Sequence, residues 1–309
     1  MKKNKKIIFN TVFLLLVFVL TIYGVFHGED LGDVIEVIEN ADKRWLLPGI
    51  ALVAFFIWGE SAIIWYMMRS YGIRLKKTSC FLFSSVGFFF SCITPSASGG
   101  QPMQIYYMKK EKVSIPVATV ILMIVTITYK FVLVAIGVGI AVFGRGFLHQ
   151  YLAINFLVKG LKILERLHLL RKRESRLKKL EDSMDTYRET AAYLKGHPRV
   201  IFNVILITFA QRMALFAVTW FVYRALSLSG TGFWTILFLQ AVISVSVDML
   251  PLPGGMGISE TLFLNIFVPV FGSCLLPGMV LSRGLGYYGE LLISAFFTVV
   301  AQLTIGQKT

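Results

Sequence analysis

A chain of 309 residues that is 56% hydrophobic and only 16% charged carries too much apolar surface for a water-soluble globule, in which about 25% of residues are charged. The formal charge of +14 is accounted for by the ends, the loops and one charged stretch. No folded basic domain with base-stacking aromatics accompanies it, so nucleic acid is not an expected partner.

Residues 7–26 (IIFNTVFLLLVFVLTIYGVF) are the first apolar run long enough to cross a hydrocarbon core, which takes about 20 helical residues. Lys2, Lys3, Lys5 and Lys6 precede it and no A-x-A-like cleavage site follows, so it reads as a span and not as a signal peptide. The lysines place the N-terminus in the cytoplasm, and the acidic stretch with Glu29, Asp30, Asp33, Glu36, Glu39 and Asp42 outside. A second span is predicted from about Trp45 to Met68, followed by Arg69, Arg74, Lys76 and Lys77 on the cytoplasmic side. Residues 80–108 then form an apolar stretch flanked by basic residues on both sides, Lys109, Lys110 and Lys112 following it. A single crossing would put one basic cluster outside. The pattern therefore predicts a re-entrant hairpin, broken at Pro95, Gly99, Gly100 and Pro102.

Further spans are predicted from about Ile115 to Phe143 and from about Val200 to Tyr223. Between them, residues 159–199 hold twelve Lys/Arg and six Asp/Glu. Leu177, Leu180, Met184, Tyr187, Ala191 and Leu194 form one stripe there, which predicts a basic amphipathic cytoplasmic arm, either solvated against the bundle or contacting a partner or anionic head groups. Residues 233–305 hold three apolar stretches, divided by PLPGGMGISE at 251–260 and by SRG at 282–284. A cytoplasmic arm requires an even number of crossings before it, yet only three are evident. The missing return falls on residues 146–164, which are short and contain His149, Lys159 and Lys162. Cys80, Cys92 and Cys274 lie in or beside apolar runs without metal-ligand spacing, so neither a disulfide framework nor a zinc site is implied. The expected fold is all-α: one integral membrane domain over residues 1–309, a polytopic transmembrane helix bundle with Gly/Pro-broken re-entrant hairpins, multi-pass in a bacterial inner membrane.

Two features carry chemistry against this background. The first is a pair of broken segments, TPSASGGQP at 94–102 and PLPGGMGISE at 251–260. Backbone that leaves the helix at membrane depth persists only where protein or a water-filled cavity satisfies it, and corresponding breaks in two halves point to a transport site. The hydroxyls of Thr94, Ser96, Ser98 and Ser259, the amides around Gly99, Gly100, Gly254 and Gly255, and the side chain of Gln101 are candidate contacts for a phosphate. The alternative is that both segments are surface turns between ordinary spans.

The second feature is a set of ionisable residues within or bordering apolar runs: Glu60, Lys130, Arg212, Asp248, Glu260, Arg283 and Glu290. A charge near the bilayer centre costs at least about 2.5–3.5 kcal/mol, so such residues face a bundle interior and pair or bind something. Arg212 and Lys130 sit well inside their spans and suit a phosphate. Asp248, Glu260 and Glu60 balance them or receive a cationic head group, unless all these residues merely fix helix register through salt bridges. No G-x-x-x-x-G-K-[ST], H-E-x-x-H or G-x-S-x-G occurs, so no catalytic residue, cofactor or metal is expected.

TPSASGGQPMQIYYM near residue 100, PLPGGMGISE near 255 and Arg283 at the head of the last apolar stretch together resemble the lysylphosphatidylglycerol synthase transmembrane family, which includes the flippase part of the multiple peptide resistance factor. The resemblance covers essentially the whole chain apart from residues 146–164, where the family tends to have another membrane segment. It implies a polytopic bundle with re-entrant helices that moves an aminoacylated phospholipid between leaflets. The resistance factor's soluble aminoacyl-transferase domain has no counterpart before Thr309, so lysyl transfer is not expected of this chain.

Two functions follow as expectations. The first is a lipid translocase for an anionic or aminoacylated phospholipid or a polyprenyl phosphate, in which Arg212→Ala or Glu260→Gln abolishes head-group movement without unfolding. The second is an accessory membrane subunit that presents lipid to a separate synthase or glycosyltransferase, docked through the arm.

Overall fold

The structure, a computed structural model, describes residues 31–94, 97–143, 192–193, 195–248, 255 and 257–307. The first span and nearly all of the arm, as well as residues 146–164, lie outside these residues. The described chain is helical throughout, with α1 at Leu31–Glu39, α2 at Lys43–Ser70, α3 at Lys77–Ile93, α4 at Gly100–Lys110 and α5 at Ile115–Phe143. It continues with α6 at Pro198–Ala225, α7 at Phe233–Val247, α8 at Ile258–Ile266, α9 at Leu275–Arg283 and α10 at Glu290–Thr304. Among the described residues, four helices are long and apolar enough to cross a membrane: Lys43–Ser70, Ile115–Ile140, Pro198–Ala225 and Val268–Thr304.

Contacts between helix ends sort the bundle into two poles. At one pole the ring of Tyr193 stacks between Tyr71 (4.4 Å) and His197 (4.3 Å), bringing the end of α2 to the start of α6. Arg69 and Lys77 lie over the Trp65 ring at 5.4 and 5.0 Å, and Lys76, Glu111 and Ile305 line one groove nearby. The start of α3, the end of α4 and the end of α10 therefore meet at this basic pole. At the other pole the Asp42 N–H donates to the Ala225 carbonyl at 2.8 Å, and Trp45 meets Trp220 edge to face at 5.7 Å. Trp45 and Trp65 are twenty residues apart on α2, about 30 Å of helix rise, the thickness of a hydrocarbon core, with an aromatic belt at each end. α5 ends at the opposite pole, with Ile140 in the same apolar cluster as Val34, whereas α6 begins at the basic pole.

α3 and α4 form a helical hairpin too short to cross, packed on each other and turning at residues 94–99. The Thr94 hydroxyl donates to the Phe90 carbonyl at 2.5 Å and accepts from the Gly99 N–H at 2.9 Å, so Thr94 ties the end of α3 to the start of α4. Pro102 is tolerated in the first turn of α4 because an N–H there would have no intrahelical partner. α7 and α8 form a second short pair whose outer ends lie at the opposite pole, where Phe271, beyond α8, meets Tyr223 at 5.6 Å. Gly257, the N-cap of α8, has φ +84°, a conformation that disfavours any side chain. Glu260 at N3 reaches back to its N–H at 2.7 Å, the carboxylate half of a capping box. The two hairpins thus come from opposite poles and turn toward the middle of the bundle.

SRG at 282–284 does not divide two apolar stretches, contrary to the sequence reading. The helix runs on from Leu275 through Arg283 to Thr304, and residues Gly284–Gly289 (GLGYYG) form a π-helical turn within it. Three glycines in six residues let the backbone widen there, and such turns concentrate at functional sites. Beyond the turn, Leu292, Phe296, Val299 and Leu303 are 60–70% exposed on one face of α10. Such an apolar stripe faces hydrocarbon and not water.

Candidate functional site

Arg212 lies midway along α6, with its guanidinium over the rings of Phe56 on α2 (4.8 Å) and Tyr129 on α5 (4.0 Å). Its Nε is buried and has no hydrogen-bond partner. Neither of the two salt bridges among the described residues includes it. A buried guanidinium donor left unused is costly, and the two ring faces offset only part of that cost. It borders a cavity of about 280 Å³ lined also by Tyr129, Gln240, Ser244, Asp248, Ser259, Arg283 and Glu290. Two larger clefts, about 790 and 640 Å³, are walled mainly by residues such as Phe81 and Phe297, or Phe131 and Phe202, and hold none of these charges.

Two other charges of the cavity lining, Asp248 and Arg283, are already matched. Asp248, just past the end of α7, accepts from Lys130 Nζ at 2.5 Å and from the Tyr129 hydroxyl. Glu260 takes Arg283 Nε at 2.8 Å on one oxygen, and the Gly257 N–H (2.7 Å) and the Ser259 hydroxyl (2.9 Å) on the other. Arg283 also lies 4.8 Å from the Tyr287 ring. The π-helical turn separates Arg283 from Glu290 by seven residues and turns both toward this cavity.

The first hairpin joins the same region through uncharged donors. Gln104 on α4 donates to Glu60 at 2.7 Å, the Cys92 thiol approaches Glu290 at 3.7 Å, and the Tyr287 hydroxyl donates to the Cys92 carbonyl at 2.9 Å. Gln211, beside Arg212, donates to the Phe56 carbonyl at 2.7 Å. Both amides need a neighbour without a side chain: a methyl on Gly87 would overlap the Gln104 amide, and one on Gly59 would overlap Gln211. Gly87→Ala is expected to push Gln104 off Glu60 and cost about 1–3 kcal/mol of stability through overpacking. The shift in thermal midpoint of the detergent-solubilised protein checks this.

The family model described as lysylphosphatidylglycerol synthase TM region matches residues 7–294. The chain belongs to this family. No curated protein matches it. The lysylphosphatidylglycerol synthase TM match runs from before the described helices into the first turns of α10 and contains Glu60, Lys130, Arg212, Asp248, Glu260, Arg283 and Glu290. Membership makes this a multi-pass membrane protein related to lipid modification.

Within this lysylphosphatidylglycerol synthase TM chain, Arg212, Asp248, Gly255, Ser259 and Arg283 of the residues proposed from sequence line the cavity, and Lys130 and Glu260 join it through their ion pairs with Asp248 and Arg283. The first broken segment contributes differently. Thr94 is spent on its own turn, Ser98 is exposed, and Gly100 is buried against Gly87 and Ser91. Gln101 donates to Thr126 at 2.5 Å on an exposed surface. Ser96 and Gly254 lie outside the described residues. Sequence reasoning missed Tyr129, Gln104, Gln211 and Tyr287, and gave Glu290 no place in the site. A polar side chain in an otherwise apolar run was their only signal, and many such side chains bond only to their own helix, as Thr128 does to the Ile124 carbonyl.

Proposed function

We propose that this protein is a lipid translocase, in which the phosphate of an anionic or aminoacylated phospholipid, or of a polyprenyl lipid, passes through the mid-depth cavity while its chains stay in the bilayer. The observation that carries this reading is Arg212, a guanidinium at mid-span whose buried Nε has no hydrogen-bond partner. A phosphate supplies the matching acceptors in the planar, bidentate geometry that arginine favours. The ion-paired residues around it hold the walls, and the two apolar clefts on the outer faces have the lining that acyl chains need. Broken hairpins that point toward the middle from opposite poles support α3–α4 and α7–α8 as re-entrant elements.

Nine basic residues, Arg69, Arg74, Lys76, Lys77, Lys109, Lys110, Lys112, Lys195 and Arg199, belong to the helix ends and loops of one pole. By the positive-inside bias we read that pole as cytoplasmic; with residues 7–26 as one crossing, the N-terminus is inside too, in keeping with a multi-pass protein of a bacterial inner membrane. Reconstitution tests the proposal. Vesicles containing the purified protein are expected to expose fluorescent phosphatidylglycerol of the inner leaflet to a membrane-impermeant quencher faster than protein-free vesicles, and equal rates would sink the translocase reading. Lipid extracted from the purified protein is expected to be enriched in phosphate-bearing anionic or aminoacylated species relative to the source membrane, as measured by mass spectrometry.

A further inference from the structure

The cavity holds one charge relationship that its two ion pairs leave open. Lys130 with Asp248 and Arg283 with Glu260 are each neutral as pairs. Arg212 remains, with the carboxylates of Glu60 on α2 and Glu290 on α10 within its electrostatic reach, and Glu290 also within reach of Glu60. Neither carboxylate forms a salt bridge among the described residues. Each is held instead by a neutral donor, Glu60 by the Gln104 amide and Glu290 by the Cys92 thiol, and in each case through Oε1. The second oxygen of each, Oε2, takes no hydrogen bond from the described residues and is available to carry a proton. The other titratable groups facing this cluster are Tyr129 on α5, Cys92 on α3, and Tyr287 with Tyr288 in the π-helical turn, all uncharged hydroxyls or a thiol near neutral pH.

A phosphodiester arriving at Arg212 adds one negative charge beside two carboxylates, in surroundings where uncompensated charge is expensive. Transfer of one proton from water to a carboxylate Oε2 leaves the net charge of the cavity as it was before the head group arrived. We propose that Glu60 and Glu290 take up one proton for each anionic head group bound, so that lipid movement is coupled to the transmembrane proton gradient. The coupling rests on the translocase reading above and supplies its energy source. The proton returns to water when the head group leaves, so lipid and proton travel in the same direction.

Calorimetric titration of dioctanoyl-phosphatidylglycerol into the full-length protein in zwitterionic nanodiscs, in two buffers of different ionisation enthalpy, reads the linkage. One proton taken up per head group is expected, with Kd rising up to about tenfold per pH unit as pH increases. Dioctanoyl-phosphatidylcholine, with no net charge, is expected to take up none. Inorganic phosphate is the water-soluble arm: binding at least about tenfold weaker assigns the site to a lipid head group, and equal binding overturns the lipid part of the proposal. In Glu60→Gln with Glu290→Gln the uptake is expected to vanish and Kd to lose its pH dependence. Should that pair of substitutions fail to fold, one of the two single variants must lower the uptake. No uptake in the wild type, or full uptake in every variant, overturns the proposal. Phosphatidylglycerol binding that is equal in Arg212→Ala would overturn the head-group site itself, which separates the two failures. In vesicles, an imposed pH gradient is expected to move fluorescent phosphatidylglycerol toward the alkaline side, and an unbiased distribution counts against coupling.

Discussion

Replacing Arg212 with alanine is expected to slow head-group movement in reconstituted vesicles about 10- to 100-fold, the worth of a hydrogen bond to a charged group. Stability is expected to change little, within about 1 kcal/mol, because the substitution removes a poorly satisfied charge along with its two ring contacts. That combination separates a binding role from a structural one. A residue that only fixed helix packing would lose stability and activity together. Arg212→Lys is expected to fall between alanine and wild type, since it keeps the charge but not the planar fork that lies on Tyr129 and matches a phosphate. Unchanged movement in Arg212→Ala would remove the central residue from the proposed site.

Glu260→Gln is expected to cost about 3–5 kcal/mol, seen as a fall in the thermal midpoint of the detergent-solubilised protein. The carboxylate side chain is only 6% exposed and holds together the Arg283 side chain, the Ser259 hydroxyl and the first turn of α8. Glutamine leaves the Arg283 charge without its counter-charge in a poorly solvated place. Glu260→Gln combined with Arg283→Met is expected to recover much of the loss, because an apolar replacement of both partners avoids the stranded charge. No recovery in the double variant would mean that the capping of α8, and not the ion pair, is the larger contribution. The sequence expectation that Glu260→Gln acts on lipid movement without touching stability is thereby narrowed: the structure gives Glu260 a holding task, and any effect on movement is expected to come with a loss of stability.

Much of this was legible in the order of residues. The helices at 43–70, 115–143 and 198–225 follow from apolar runs long enough to cross a bilayer, and the breaks near 95–100 and 251–257 follow from proline and glycine. Hydropathy misread the last span because Ser282, Arg283 and Gly284 look like a boundary. The helix instead absorbs its glycines in a π-helical turn and places Arg283 and Glu290 on the cavity. That turn depends on the helices packed around it and leaves no periodic trace in a single sequence. Likewise, Thr94 looks like an anion ligand in a list of hydroxyls. Its geometry shows both of its hydrogen bonds committed to the turn it belongs to.

The sequence by itself determined that the protein is a membrane-embedded helical bundle, that its helices break near 95–100 and 251–257, and which few residues carry charge into an apolar interior. These are local properties, set by the energy of placing each segment in hydrocarbon. Only the tertiary structure decided which of those charges cancel. Lys130 meets Asp248 across 118 positions and Arg283 meets Glu260 across 23, while Arg212, no different from them in sequence, ends between two aromatic rings with a donor unused. Charge pairing in a low-dielectric interior depends on distances of a few ångströms between helices remote in the chain. Which cation of the cavity, among the described residues, is left without an ion pair is therefore a property of the packing and not of the composition.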